Sequence, residues 1–303
     1  MEEDSQRDLF APIVNSDALM GPFLLTARLF TTGIFVFYVV NQIMRTHEPN
    51  ALLYMAIAVQ LVGVVLVALG YQTRFAALLL AAYIVISLLF RVNAGITIGF
   101  EVTMLKDLAI AAGFLFMFAY GPGPLSIDAH RIPSESGSTE HSSFRSFFPP
   151  ILRSNLVMGP LLLVARVVST FVFFVYGTHK FVNTPGAQAY MVAHNAHVPT
   201  GLIYLAIITQ FVFPILVLLG YKTRYGVLAL AGFCLIATSL FHTQFGIHSE
   251  VEQFVLDFAI AGGFLFMFAY GPGPLSVDMW LRRAKPAEKT SSAIQKGDIS
   301  LAG

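Results

Sequence analysis

Long apolar stretches, separated by short polar or glycine-rich segments, recur along the whole chain. Eight of these stretches are predicted as helices, at residues 21–43, 51–69, 75–90, 100–120, 159–181, 200–219, 225–241 and 252–270. A helix needs roughly 17–25 apolar residues to cross a bilayer, and only the third stretch falls slightly short of that length. The pattern therefore predicts an all-α, polytopic membrane protein with eight transmembrane helices.

Composition supports the membrane assignment and removes several other classes of function. The chain is 56% hydrophobic and 12% charged, about half the charged share of a soluble domain. A formal net charge of +1 gives no indication of a nucleic-acid partner. The chain has one cysteine, Cys234, which excludes an internal disulfide and a Cys-x-x-Cys redox pair. The expected partner is the lipid bilayer.

An exact repeat shows that the chain is an internal duplication. Residues Gly113–Ser126 and Gly263–Ser276 both read GFLFMFAYGPGPLS, 150 positions apart. We expect a polar leader at 1–19, a first four-helix repeat at 20–126, a cytoplasmic linker at 127–157, a second repeat at 158–278 and a polar tail at 279–303. The end of the linker either lies on the membrane surface or simply leads into the fifth helix. The second repeat carries about twelve extra residues between its first two helices.

The distribution of Lys and Arg predicts the orientation. Four of the 18 lie on one side of the predicted bundle (Arg45, Arg91, Lys106 and Lys180), and Arg28 and Arg166 lie inside helices. The other twelve lie on the side that holds both termini, which the positive-inside rule places in the cytoplasm. Since each repeat has an even number of helices, the repeats are parallel bundles related by an axis along the membrane normal. Thr73 is the expected cap of the third helix.

Polar residues within the apolar stretches are the candidates for function, because they are costly at membrane depth. Arg28 and Arg166 occupy equivalent positions, where they either contact an anion or a quinone head group or serve packing and snorkelling. Gln60 and Gln210 are also equivalent, and the alternatives for them are ligand contact and interhelical hydrogen bonding.

Two equivalent carboxylates, Asp107 and Asp257, need partners. Three residues at the outer ends of helices five and seven are the expected partners of Asp257: Lys180, His179 and His242. Lys106 precedes Asp107 but faces another way, because neighbours i and i+1 do not share a helix face. A structural Asp–Lys pair and a catalytic one both remain open.

Histidines concentrate on the outer side of the second repeat. His194 and His197, with His179 or His242, have a spacing that a metal site could use. No cysteine or motif supports a metal, and no facing pair of histidines lies deep enough for haem, so neither cofactor is predicted.

These residues together resemble the DoxX/DoxD family of small four-helix membrane proteins. The shared elements are Arg28 and Arg166, Gly177 to Lys180, Gln60 to Gly63, Gly70 to Arg74, Gly220 to Arg224, Phe241-His242, Leu105 to Ala109, Tyr120 to Asp128 and Tyr270 to Asp278. The chain departs from the family pattern at Gln60 and Gln210, where many members have Glu. The Gly-x-x-Lys and Leu-Lys elements are also split between the two repeats.

The resemblance implies a membrane subunit of a quinone-linked redox system, similar to thiosulfate:quinone oxidoreductase, in the plasma (inner) membrane. Quinone is then the expected cofactor, and partners are other redox subunits or further copies of the chain. The candidate catalytic residues are Lys180, His179, His242 and Asp257. The candidate ligand-binding residues are Arg28, Arg166, Gln60, Gln210, Lys106 and Asp107. The alternatives are a non-enzymatic assembly subunit of a membrane complex and a small-molecule carrier.

Overall fold

The computed structural model describes residues 9–45, 50–95, 100–130, 154–194 and 199–284, and all of their regular structure is helical. Eight helices are long and apolar enough to cross a membrane. They are α2 (Asp17–Arg45), α3 (Ala51–Leu69), α4 (Thr73–Asn93), α5 (Phe100–Tyr120), α7 (Asn155–Val182), α9 (Thr200–Leu219), α10 (Thr223–Phe241) and α11 (His248–Tyr270). Shorter helices are α1 (Ala11–Val14), α6 (Ile127–His130), α8 (Thr184–Ala193) and α12 (Val277–Ala284). The prediction of an all-α protein with eight spans is confirmed.

Most spans are longer than hydropathy predicted, because polar residues continue the helices beyond the apolar core. The extra residues of the second half form α8, where we expected only a connection. The Asn183 side chain accepts a hydrogen bond from Gly186 N and so caps the start of this helix. The predicted linker lies largely outside the described residues, although α7 already begins at Asn155.

The third helix of each half is capped by a carboxylate from a distant part of the chain. Asp128 accepts hydrogen bonds from Gln72 N, Thr73 N and Thr73 Oγ1 at 2.9, 3.0 and 3.2 Å. Asp278 makes the equivalent bonds to Lys222 and Thr223 at the start of α10. The expectation that Thr73 itself caps the helix is wrong, because its hydroxyl donates to Asp128 and does not turn back to a backbone N–H. These caps explain the Asp that ends each Tyr-Gly-Pro-Gly segment.

The two halves interleave, because the first and fourth spans of each half pack against spans of the other half. Helix α2 packs mainly against α11, and α7 packs mainly against α5, whereas α2 and α5 barely touch. At the centre, a Cβ added to Gly113 would lie 2.8 Å from the Cα of Gly263, so α5 and α11 cross with their backbones in contact. Tyr120 and Tyr270 stack nearly parallel at the end of the same two helices, 4.8 Å apart. The repeats are therefore parallel and meet along an approximate two-fold axis.

The surface and the core follow from this packing. Large aliphatic side chains cover the outside of the spans, as the lipid-facing surface of a membrane protein requires. The central helices α5 and α11 are the most buried of the eight spans. We call the end with Tyr120 and Tyr270 the tyrosine end, and the opposite end, where α8 lies, the distal end.

Candidate functional site

The second half encloses a cavity of about 990 Å³ between α7, α9, α10 and α11. Helix α8 lines its distal end, and Lys106 of α5 reaches it from the first half. Phe173, Phe213 and Phe233 contribute aromatic walls, and Lys180 and Gln210 form a polar patch. The volume lies at the upper end of the range found for small-molecule sites, and the mixture of apolar walls with a few polar groups is typical of them.

Lys180 and Gln210 meet inside the cavity. A Cβ on Gly177 would lie 3.2 Å from the Cβ of Gln210, so this glycine lets α7 approach α9 closely. One turn later, Lys180 Nζ donates to Gln210 Oε1 at 2.9 Å. The ammonium also lies 5.6 Å from the ring centres of both Tyr176 and Phe233. Gln210 is ten residues into α9, about 15 Å from its start, so this polar pair lies at membrane depth.

The second charged group of the cavity joins the two halves. Lys106 Nζ donates to Asp257 Oδ1 and to Gln253 Oε1, both at 2.6 Å. It also lies 5.4 Å from the ring centre of Tyr176. Lys106 and Asp257 are 5% and 9% exposed, which makes this a buried ion pair.

The hydrogen-bonded partner of Asp257 is therefore not one of the three expected residues. Lys180 bonds Gln210, His242 bonds Glu250, and His179 is exposed at the rim of the cavity. The physical reason is the interleaved packing, which places α5 beside α11. Lys106 faces away from Asp107, as helix geometry requires, and that direction leads into the second half.

The first half fills the equivalent positions with neutral side chains that bond to one another. Gln60 Nε2 donates to Gln42 Oε1 and to Tyr83 Oη at 3.0 and 2.9 Å, and Gln42 Nε2 donates to Tyr83 Oη at 3.2 Å. Gln42 corresponds to Lys180, and Tyr83 corresponds to Phe233. Both glutamines thus take part in interhelical hydrogen bonds, but only Gln210 contacts a charged side chain.

Asp107 forms its own pair within the first half. It accepts from Tyr38 Oη at 2.7 Å and from Arg91 NH1 at 3.2 Å. Tyr38 corresponds to Tyr176, which faces Lys106 in the second half. Asp107 is 3% exposed, whereas the side chain of Arg91 is 36% exposed. This pair reaches the edge of the bundle and is apart from the cavity.

Glu250 and two histidines pair at the distal end of the cavity. Glu250 accepts from His242 Nδ1 at 2.9 Å and pairs with His194 Nε2 at 3.3 Å. His194 is the residue after α8, so this carboxylate holds that helix to the start of α11. Burial and the nearby Glu250 raise the pKa of Tyr190 on α8. His197 lies outside the described residues.

Sequence reasoning did not single out Glu250 or Gln253. Glu250 lies three residues before Gln253, and Gln253 lies four residues before Asp257, so all three share one face of α11. This spacing in the sequence could have indicated a polar face. Three polar groups on one face of a membrane helix indicate that the face meets protein or a polar cavity.

The two buried arginines lie at the tyrosine end, away from the cavity. Arg28 donates to Leu125 O and Val67 O, and Arg166 donates to Leu275 O. A Cβ on Gly70 would clash with Arg28 NH1, and the positive φ of 69° also favours glycine there. Gly220 repeats this arrangement beside Arg166. Each arginine holds a Gly-Pro-Gly-Pro turn against a helix end through a backbone carbonyl of the residue that follows the turn.

The fold and the cavity define a multi-pass membrane protein whose ligand-sized site lies within one half of a duplicated bundle. A sequence model of the DoxX family matches residues 161–243, which contain α9, α10 and most of α7. The chain is also similar to two proteins of Escherichia coli (strain K12). Inner membrane protein YqjF is 35% identical over 121 residues, which cover 40% of this chain and 92% of the relative. Inner membrane protein YphA is 28% identical over 123 residues, which cover 39% of this chain and 88% of that relative.

The chain belongs to the DoxX family, as its sequence motifs indicated. Because each relative is matched along most of its own length by about two fifths of this chain, a relative has about the size of one half. The family model matches the half that carries Gly177, Lys180 and the cavity. No solved structure matches the chain.

Proposed function

We propose that the protein binds a membrane quinone in the cavity of its second half and serves as the quinone-binding subunit of a redox system. The system lies in the plasma membrane, with both termini of this chain in the cytoplasm. The observation that carries the proposal is the Lys180–Gln210 pair, held at membrane depth in a cavity of about 990 Å³ with aromatic walls. The family membership and the inner-membrane relatives are consistent with it.

The donors of the cavity fit the chemistry of a quinone. An ammonium has three N–H donors, and the described bond to Gln210 uses one of them. The amide nitrogen of Gln210 supplies further donors, while Phe173, Phe213 and Phe233 offer flat apolar surfaces. A quinone has carbonyl oxygens on a flat ring and supplies two-electron redox chemistry within the membrane. Lys180 would hold a ring carbonyl and stabilise negative charge on it.

Among the described residues, Lys180 hydrogen bonds to a neutral side chain, whereas Lys106 bonds to a carboxylate. Lys106 and Asp257 neutralise each other, so the charge of Lys180 is the one directed at a ligand. Both ammonium groups lie near the ring of Tyr176, at 5.4 Å for Lys106 and 5.6 Å for Lys180. His179 and His242 both line the distal end of the cavity. In this proposal a partner subunit binds and oxidises the electron donor, such as a sulfur anion.

Equilibrium binding of radiolabelled decyl-ubiquinone to the protein in lipid nanodiscs tests the proposal. We expect saturable binding that Lys180→Met weakens about tenfold or more, since a hydrogen bond to a charged group contributes about 1.5–3 kcal/mol. The matched control is Gln42→Met, which changes the equivalent position of the first half and should leave binding intact.

Two results would reject a quinone site: no saturable binding to the unaltered protein, or equal weakening by both variants. A stable membrane partner co-purifying with a protein that binds no quinone would favour the assembly-subunit alternative.

A further inference from the structure

The helices that flank the cavity touch near the tyrosine end and separate toward the distal end. A Cβ on Gly226 would lie 2.8 Å from Val217 Cγ2 and 3.3 Å from Phe213 O, so α9 and α10 are in close contact there. Two turns further along α10, a Cβ on Gly232 would meet nothing within 4 Å. Gly232 lines the cavity, as does Thr209 on the facing helix. The gap between the two helices is therefore continuous with the cavity.

The gap opens on the apolar outer surface of the bundle. Leu205 and Ile236 both line the cavity and are 56% and 64% exposed. Each lies five residues inside the distal end of its helix, which corresponds to a depth of about 7 Å. A side chain that is both in the cavity wall and on the lipid-facing surface marks an opening toward hydrocarbon.

Helix α8 covers part of the distal end of the cavity. Met191 of α8 is buried against Ile203 and Ile207, with Phe211 and Phe241 beside them. The Glu250 carboxylate holds the end of α8 through His194. The exposed polar residues His179 and Asn183 also line this end of the cavity, whereas the gap between α9 and α10 is apolar and opens toward hydrocarbon. An amphiphilic ligand thus finds an apolar path to the cavity from the membrane.

We infer that the cavity is filled sideways from the membrane, through the gap between the distal halves of α9 and α10, and that a bound ligand keeps its hydrocarbon chain in this gap. The head group lies at Lys180 and Gln210, and the chain passes Gly232 and leaves between Leu205 and Ile236. This inference rests on the proposed function only for the identity of the head group. The ligand class is a lipid with one long chain and a head group that accepts hydrogen bonds.

The room for the chain comes from two small residues of α10. Ala229 and Gly232 line the cavity, and the equivalent positions of the first half hold Leu79 and Ala82. The third helix of the second half thus has smaller side chains at these two positions than the third helix of the first half, and this leaves room for the gap.

Photolabelling in nanodiscs tests the path. The first probe is a decyl-ubiquinone with an azide on the last carbon of its chain, and the second is a palmitate with a diazirine at the same place. Specific labelling is the part that excess unlabelled ligand suppresses, and mass spectrometry locates it on the chain. We expect specific label from the quinone on α9 and α10, close to Leu205 and Ile236.

A variant that fills the gap provides the second readout. Gly232→Leu has room for its side chain and should abolish the specific label. Ala82→Leu makes the matched change on the first half and should leave the label in place. Thermal unfolding of both variants confirms that each is folded.

The outcomes separate this inference from the proposed function. Specific quinone label on α8 or the distal end of α7, unaffected by Gly232→Leu, would overturn the sideways path while keeping the quinone site. Specific label from palmitate alone, lost in Gly232→Leu, would support the path and reject a quinone. No specific label from either probe would overturn both.

Discussion

The two halves of this protein share a scaffold and differ in what fills it. In the first half, Gln42, Gln60 and Tyr83 bond to one another and leave no charge in the network. In the second half, the equivalents of Gln42 and Tyr83 are Lys180 and Phe233, and the third helix carries smaller side chains. Three kinds of substitution therefore distinguish a packed bundle from one with a charged, ligand-sized cavity.

The comparison also shows that the halves are not independent. The first half contributes Lys106 to the cavity of the second, where the position equivalent to Lys106 is Leu256. The half with the cavity thus depends on the half without it. We interpret the first half as a structural partner that also completes the charge balance of the site.

Neutralising Asp257 and its equivalent Asp107 should give the largest difference in stability between matched variants of the two halves. Asp257→Asn leaves Lys106 buried without its counter-charge, which typically costs about 3–5 kcal/mol. Asp107→Asn should cost less, because its partner Arg91 is partly exposed and can reach solvent or head groups. Thermal unfolding in a mild detergent measures both variants.

The double variant Lys106→Met with Asp257→Leu is the control for this prediction. It removes both charges and should recover most of the stability lost in Asp257→Asn. Equal destabilisation by the two single variants would contradict the view that only one of the pairs is fully buried.

Substitutions at the crossing of α5 and α11 should destabilise the protein equally in both halves. Gly113→Ala and Gly263→Ala each place a methyl group against the backbone of the other helix, at 2.8 and 2.9 Å. Overpacking of this kind typically costs about 1–3 kcal/mol, and the two variants should agree closely. Gly201→Ala, where an added Cβ meets nothing within 4 Å, is the control in the same unfolding assay. A large difference between Gly113 and Gly263 would argue against the two-fold packing.

The smallest effect concerns α8, a helix that only the second half has within the described residues. Glu250→Gln weakens the contacts to His194 and His242, and a lost hydrogen bond of this kind typically contributes about 0.5–1.5 kcal/mol. Hydrogen exchange of residues 184–193 should become faster, with little change in global unfolding.

Glu252→Gln is the matched control for the α8 experiment. It makes the same change on α11, but the charge of Glu252 acts on Tyr38 and Asp107 of the first half. Unchanged exchange in Glu250→Gln, or equally fast exchange in both variants, would show that this carboxylate does not hold α8.

Much of the fold could be predicted from the sequence, because hydropathy marks each span and the repeated Gly-Pro-Gly-Pro segment marks the duplication. The bounds of α3, α5 and α9 matched the prediction, as polar or glycine residues lie directly beside them. Helix α8 was read as a connection, although Asn183 and Pro185 at its start are ordinary signals of a helix N-terminus.

The site was harder to predict, because its decisive contact crosses between the halves. Gln210 and Asp257 were recognised as costly groups within membrane helices, and Lys180 as a charge at the outer end of its helix. The pairing of Asp257 depends on which helices adjoin. Pairing within a four-helix repeat would have excluded Lys106. The cavity itself results from missing side-chain volume at Ala229 and Gly232, and small residues in a membrane helix more often indicate close packing than open space.

The Lys106–Asp257 pair imposes an order on the biosynthesis of the protein. The two residues are separated by 151 positions, so at about 5–20 residues per second Lys106 is made roughly 8 to 30 s before its partner. A charged side chain within a span opposes membrane insertion. Lys106 lies within α5, which has the lowest mean hydropathy of the eight spans, 1.4. Helix α5 is therefore made before the counter-charge of Lys106 exists. A chain that ends before α11 would leave this lysine without Asp257.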